Sequence, residues 1–125
     1  MSFNLEDFKK INLAPGSPSI SVTSNGVTFN KAAIIKLDEA EKVNLFINED
    51  MKALAVTICS DEDKALNFFK KGKRVLSVRW NNKDLLDTLA TMMGWNLEES
   101  GYRISGFYDR DQSALFFDFK TATAF

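Results

Sequence analysis

Short runs in which apolar and polar residues alternate predict a series of β-strands along the chain. Two such runs flank the dipeptide Asn25-Gly26. Because both residues of an Asn-Gly pair tolerate positive φ, the dipeptide favours a two-residue hairpin turn, which would place Val22 opposite Phe29. The alternating runs predict strands at 20–23, 27–29, 43–47, 54–58, 76–80, 102–108 and 115–119.

Two helices are predicted where an asparagine precedes residues with helical spacing. Asn30 is expected to cap a short helix at 31–37, and Asn81 or Asn82 to cap a longer helix at 83–93. The side-chain oxygen of an asparagine accepts a hydrogen bond from the free N–H groups of a first helical turn. These asparagines therefore mark the expected starts of both helices.

Two further helices are predicted from spacing and charge. Asn4 precedes residues 3–13, whose apolar side chains recur mostly at intervals of three and indicate a short amphipathic helix. Ser60 precedes residues 61–71, which carry acidic residues at the start and lysines at the end. Each group of charges opposes the nearer end of a helix dipole, so a helix at 61–71 is expected.

The two halves of the chain share one order of elements: strand, Asn-capped helix, polar link and hairpin. These units cover residues 20–59 and 75–119, and the helix at 61–71 joins them. We therefore predict an α+β fold in which two strand–helix–hairpin units pack as one pseudo-twofold, swapped-hairpin-like body with short flanking helices. Residues 1–125 are expected to form a single domain, since this length is close to the modal domain size. The alternative is that the shared order recurs by chance.

The composition bears on which chemistries the chain can support. It has no histidine and one cysteine, Cys59, so the commonest general base is missing and zinc would need carboxylate ligands almost alone. None of its 6 glycines falls in the spacing of a phosphate-binding loop. We therefore predict no catalytic residue, no metal site and no cofactor, and a protein that is not an enzyme.

Charge and hydropathy limit the expected partners and location. The 16 basic and 17 acidic residues give a net charge of −1, which does not favour nucleic acid or an anionic membrane as a general partner. No apolar run approaches the length of a membrane span, and residues 1–10 lack the pattern of a signal peptide. The single Cys59 cannot form an internal disulfide, which fits a reducing compartment. The sequence predicts a cytoplasmic protein without membrane contact.

The densest group of cations is the candidate nucleic-acid surface. It contains Lys70, Lys71, Lys73 and Arg74, with Arg79 on the following strand. Cations grouped in this way can contact phosphates. The alternative is that these lysines close the predicted helix at its C-terminus and continue into a solvated loop.

Three aromatic residues are candidates for a partner surface. Phe68 is expected to be exposed next to the cations, where its ring could stack on a base. Phe116 lies on the strand face opposite to its neighbour Phe117, and Phe125 ends an apolar tail. The alternative is that aromatic rings fill the core, which we expect for Trp80, Phe117 and Phe119.

Each unit resembles the AbrB-like swapped-hairpin domain of bacterial transition-state regulators and of antitoxins such as MazE. In that family a strand is followed by a short helix that ends in Leu-Gly, a polar link and a hairpin. The second unit has this pattern from Leu89 through Met93-Gly94 to Gly101, and the first has it at 27–45. Two chains of that family intertwine into a dimer that binds DNA. The resemblance implies that this chain forms such a body from its own two units.

The chain also departs from the pattern of the family. The proline that follows the first strand is absent, and Asn30 and Asn82 stand in its place. The helix arginines that contact DNA in the family align with Ile34, Ile35, Leu86 and Asp87. Losing these cations removes phosphate contacts, and with them most of the electrostatic affinity for DNA.

The functional hypothesis is a small, non-catalytic bacterial binding protein, monomeric or homodimeric. One form of the hypothesis is an AbrB-like transcriptional regulator that binds DNA. The alternative is a protein-interaction or accessory module, of the kind found in phages, plasmids or antitoxin systems, that does not bind DNA.

Overall fold

The structure, a computed structural model, describes residues 2–8, 17–59, 65–70 and 77–125. Within these residues it contains nine strands, two α-helices and two 3-10 turns. The strands are β1 (Ser19–Thr23), β2 (Gly26–Phe29), β3 (Lys42–Asn48), β4 (Ala53–Ile58), β5 (Leu66–Asn67), β6 (Val78–Trp80), β7 (Tyr102–Asp109), β8 (Ala114–Asp118) and β9 (Thr123–Ala124). The helices are α1 (Lys31–Lys36) and α2 (Lys83–Met93), and the 3-10 turns are Leu5–Asp7 and Phe119–Thr121.

All nine described strands belong to one antiparallel sheet. Eight of them follow the order β5-β3-β4-β8-β7-β1-β2-β6. The ninth, β9, pairs with the start of β7 on the same side as β8. The sheet curls so that its two ends approach each other. At that point the indole Nε1 of Trp80 on β6 donates a hydrogen bond of 2.9 Å to the carbonyl of Asn67 on β5. This bond joins the first and last strands of the order.

The predicted α+β fold, with two packed strand–helix–hairpin units, is wrong. The described residues form a mostly antiparallel sheet that curls into a half-barrel, and of its two helices α1 has 6 residues and α2 has 11. The predicted units do not form separate sheets, because β2 pairs with β6 and β4 pairs with β8. Pairing across the chain satisfies strand edges that would otherwise be open, which favours one continuous sheet.

The helix expected at 61–71 is also corrected where the structure describes it. Residues 66–67 form β5, which pairs with β3. The backbone N–H groups of Phe68 and Phe69 then donate to the carbonyls of Glu41 and Ala40, at 2.8 and 3.0 Å. These hydrogen bonds to a distant segment replace the bonds that a helix would make. Residues 60–64 and 71–76 lie outside the described residues.

The helix predicted at 3–13 is wrong where the structure describes it, because residues 2–8 form only a 3-10 turn at Leu5–Asp7 and the backbone of Phe8 is extended. Residues 9–13 lie outside the described residues. Most other predicted local elements are confirmed, but one register is not. The expected strands of both halves and the helices capped by Asn30 and Asn82 are present. The hairpin between β1 and β2 forms, but Thr23 pairs with Gly26, so Val22 lies opposite Val27 instead of Phe29. Of the Asn-Gly pair only the glycine has a positive φ, of 142°.

The core lies on the inner face of the curled sheet and includes residues of both helices. An aromatic group stands at its centre, where the ring of Phe29 meets Phe68, Trp80 and Phe117 edge to face, with centroids at 5.0, 4.9 and 6.1 Å. These rings come from β2, β6 and β8 and from the residue that follows β5. The other members of the buried cluster include Ile20, Val22, Val27, Ile34, Leu37, Val43, Leu54, Val56, Leu86, Leu89, Ile104, Leu115 and Phe119.

Replacing Asn30 with alanine is expected to lower the free energy of unfolding by about 2 kcal/mol, more than a helix cap alone contributes. The Asn30 Oδ1 accepts from the N–H groups of Ala33 at 2.9 Å and Ser19 at 3.0 Å, and Nδ2 donates to the carbonyl of Ser17. Asn82 is the matched control, because among the described residues its side chain accepts a single hydrogen bond, from the N–H of Leu85. Asn82→Ala should cost about 1 kcal/mol in urea unfolding. Equal losses of unfolding free energy in the two variants would contradict a stabilising hydrogen bond between Asn30 and Ser19 of β1.

Candidate functional site

Four neighbouring strands present an apolar row on the outer face of the sheet. In the register of β3, β4, β8 and β7, Phe46 pairs with Ala55, Ala55 with Phe116, and Phe116 with Phe107. Residues that are partners across antiparallel strands project from the same face. Phe46, Ala55, Phe116 and Phe107 therefore form one row, which we call the aromatic stripe. At the usual strand spacing it spans about 14 Å.

The stripe is exposed at both ends and continuous between them. The side chains of Phe46 and Phe107 are 54% and 60% exposed, and Phe116 is partly buried between neighbours. The rings of Phe107 and Phe116 stack with centroids 5.5 Å apart and planes inclined by 25°. Contiguous exposed apolar patches often mark interaction sites.

Strand alternation explains why these rings face outwards. Leu45, Val56 and Leu115 point into the core, so the residues next to them in sequence project to the opposite face. On a solvated sheet face these outward positions are normally polar. Phe46 and Phe116 break that alternation, which makes the outer face of β3 and β8 apolar at these two positions.

A cavity of about 340 Å³ adjoins the Phe46 end of the stripe. It lies at the β3–β4 turn, where Met51 is 59% exposed. Its size suits one bulky apolar side chain or a small group of methyls. The lining residues are Phe46, Ile47, Asn48, Met51, Ala53, Leu54, Ala55 and Phe116.

Polar rows flank the stripe on both sides. One row pairs Asn48 with Ala53 and Ala53 with Asp118, and the other joins Asn44, Thr57, Ala114 and Asp109. These described positions include two aspartates and neither lysine nor arginine. The two rows next to the stripe therefore carry carboxylates, whereas Lys42 on β3 and Arg103 on β7 lie farther along the same face.

The two aspartates are held by local hydrogen bonds. The side-chain amide of Gln112 donates to Asp109 Oδ2 at 2.9 Å, and the backbone N–H groups of Gln112 and Asp111 donate to its Oδ1. These bonds, the side-chain bond from Gln112 foremost, hold the pKa of Asp109 below its usual value. The carboxylate of Asp118 accepts from the backbone N–H of Lys120. Asp109 therefore stays ionised at neutral pH, and local hydrogen bonds hold both side chains in place beside the stripe.

The structure places the three predicted partner residues in different environments. Phe116 belongs to the stripe. Phe125 is 62% exposed, its ring lies against Gly101, and the guanidinium of Arg103 is 5.7 Å from the ring centroid. Phe68 was expected on the surface and is 8% exposed, because it packs against Phe29 and Trp80 in the core. Phe68 is therefore not available to a partner.

The described cations of the predicted nucleic-acid surface are both exposed, on β6 and just after β5. Arg79 lies on β6, and Lys70 lines a cavity of about 440 Å³ together with Lys42 and Glu41. The remaining members, Lys71, Lys73 and Arg74, lie outside the described residues. The structure thus adds Lys42 to this group but does not describe the group as a whole.

Sequence reasoning missed Phe46, Ala55 and Phe107 as site residues. The sequence did hold a local signal for Phe46. Val43, Leu45 and Ile47 occupy one face of β3, so Phe46 must project from the opposite face. Phe107 likewise stands between Gly106 and Tyr108, at the outward phase of β7. No local signal placed them in one row, because the row depends on the pairing of β4 with β8.

Comparisons with known proteins leave the family undecided. A scan against protein-family models finds no match, and no curated protein and no solved structure matches the chain. The AbrB-like resemblance accordingly stays a prediction. In the described part of the chain, no helix combines the length and hydropathy that crossing a bilayer requires.

Proposed function

We propose that this chain is a small, non-catalytic binding protein that holds a protein partner on the aromatic stripe. The observation that carries the proposal is the register-aligned row of Phe46, Ala55, Phe116 and Phe107 on the outer face. Exposed aromatic side chains supply most of the binding energy in many protein interfaces, because they bury a large area with few rotatable bonds.

The negative charge next to the stripe favours a protein partner over a nucleic acid. Sheet faces that stack bases combine aromatic rings with cations that contact the phosphates. Here Asp109 and Asp118 lie beside the rings, and a polyanion would be repelled by these carboxylates. A partner with an apolar centre and lysines or arginines at its rim is complementary in both respects.

The non-catalytic role and the cellular setting belong to the same proposal. The absence of histidine from the sequence and the lack of a phosphate-loop motif support action by contact. The single cysteine supports a reducing cytoplasm as the place of action. An accessory or antitoxin-like role in a bacterium or its mobile elements fits a small protein of this kind.

Affinity purification with a tagged chain tests the proposal. The double variant Phe46→Ser/Phe107→Ser should lose a stoichiometric partner that the unchanged chain recovers, since about 2 kcal/mol or more is expected from truncating such anchors. Phe125→Ser is the matched control, because it removes an equally exposed ring outside the stripe. The control should recover the partner in full. Recovery of no stoichiometric partner, or equal recovery by the double variant, would count against the proposal.

DNA binding is the second candidate function. It is favoured by Lys42 and Lys70, which line one cavity, and by the exposed Arg79. A gel shift on mixed-sequence duplex at low salt tests it, and Lys42→Glu/Lys70→Glu should weaken any shift and its salt dependence. Lys120→Glu, at an exposed position beyond β8, is the charge-matched control. The absence of a shift at high micromolar protein would exclude this candidate.

A further inference from the structure

A second uncovered apolar surface lies in residues 2–8. Phe3, Leu5 and Phe8 are 79%, 84% and 56% exposed, and none of them belongs to the core cluster. The segment nevertheless has a defined local structure, because Asn4 caps a 3-10 turn at Leu5–Asp7. The rings of Phe3 and Phe8, on either side of this turn in sequence, contact each other edge to face, with centroids 5.6 Å apart.

The turn separates apolar from charged side chains. Leu5 and Phe8 are three residues apart and so lie on one side of a 3-10 turn, whereas Glu6 and Asp7 lie between them in sequence and project elsewhere. The segment therefore offers an apolar side of the kind that docks against an apolar surface.

We propose that residues 2–8 of one copy dock on the aromatic stripe of a second copy, and that two copies exchange these segments reciprocally. The inference rests on the proposed function and names the partner of the stripe as the chain itself. Within one copy the segment and the stripe are both exposed, so a single chain leaves both uncovered. A reciprocal exchange covers both surfaces and closes with twofold symmetry.

The area available favours a reciprocal pair over a single docking event. A phenylalanine side chain has a surface of about 200 Å². Multiplied by the exposed fractions of the large apolar residues of the segment and the stripe, this gives roughly 600 Å² of surface that one segment–stripe contact can bury. That is below the range of specific interfaces, which begins at about 1,200 Å². Two reciprocal contacts, at roughly 1,200 Å², reach the lower end of that range.

Charge is compatible with this arrangement. Asp109 and Asp118 border the stripe, and Lys9 and Lys10 follow the segment directly in sequence. Because Glu6 and Asp7 within the segment balance these two lysines, the affinity of the contact is expected to come from the apolar side chains.

The mass of the full chain as a function of concentration gives the first test. We expect a dimer whose dissociation constant rises by about 30-fold both in Leu5→Ser/Phe8→Ser and in Phe46→Ser/Phe107→Ser. Because all four residues are at least half exposed, these variants should remain folded, which circular dichroism checks. Phe125→Ser should dimerise like the unchanged chain.

Mixing the two double variants gives the second test. The segment variant keeps an intact stripe and the stripe variant keeps an intact segment, so the mixture restores one of the two contacts. A heterodimer should therefore form more tightly than either variant self-associates. A dimer made by stacking two stripes face to face would not be weakened by the segment variant.

Photo-crosslinking identifies the contact directly. Leu5→p-benzoylphenylalanine in a mixture of isotopically heavy and light chains should yield heavy–light adducts on peptides of β7 and β8. A monomer at all concentrations, adducts only within one chain, or a dimer unaffected by the segment variant would overturn the inference. A different result would overturn the proposed function. In the affinity purification, the stripe variant would still recover every partner that the unchanged chain recovers.

Discussion

Phe29→Ala is expected to lower the free energy of unfolding by about 4 kcal/mol. Phe29 is 1% exposed, and its ring contacts Phe68, Trp80 and Phe117 edge to face. The substitution removes the apolar area of a ring and leaves a cavity whose walls come from separate strands. Because these walls are parts of one paired sheet, they cannot collapse easily to fill it.

Urea unfolding measures this loss, and Phe107→Ala is the matched control. Phe107 is also a strand phenylalanine but is 60% exposed, so its replacement should change the free energy of unfolding by no more than about 0.5 kcal/mol. Similar midpoints for the two variants would mean that the aromatic group around Phe29 is not the centre of the core.

Gly26→Ala is expected to cost about 3 kcal/mol, because two effects coincide at this position. The φ of Gly26 is 142°, a conformation that residues with a Cβ rarely adopt. A Cβ there would also lie 2.7 Å from the carbonyl oxygen of Trp80 and 3.0 Å from Cγ of Arg79. The first contact is with backbone, so the β2–β6 pair itself would have to move.

Gly94→Ala is the comparison variant, because a Cβ there causes no steric conflict. Gly94 ends α2 with a φ of 69°, and a Cβ added there would meet nothing within 4 Å. Its replacement should cost about 1 kcal/mol, from the left-handed backbone alone. The difference between the two variants in urea unfolding then combines the steric conflict at β6 with the greater backbone strain at a φ of 142°. Equal losses would show that β2 and β6 are not packed as closely as described.

Local structure was predictable from local chemistry. Asparagine side chains before residues with helical spacing identified the starts of α1 and α2, and alternation identified the strands of both halves. The hairpin between β1 and β2 was predicted, but its register was not. The register depends on Gly26, whose backbone must fit against β6 from a distant part of the chain.

The helix predicted at 61–71 shows where local reasoning fails. Its charge pattern suits a helix dipole, yet residues 66–67 form β5 and Phe68 is buried. The backbone of Phe68 finds its hydrogen-bond partner in Glu41, and its ring finds Phe29 and Trp80. Burial of aromatic rings contributes more free energy than the charge–dipole interactions of an exposed helix end.

The candidate site was predictable in part. The phase of Phe116 on its strand indicated an outward ring, and the structure places that ring in the aromatic stripe. The common row of Phe46 and Phe107 was out of reach, since they come from opposite halves of the chain and are aligned only through β4 and β8.

Hydrophobic alternation, capping residues and composition were enough to identify most strands, both helix starts and the chemistries that the chain is poorly equipped to support. The order of the strands, the curl of the sheet and the row of rings on its outer face were decided by tertiary structure. The physical reason is that strand patterns record which side of a strand is buried but not which strand lies beside it. Neighbours are selected by backbone hydrogen bonds and ring packing between residues far apart in sequence.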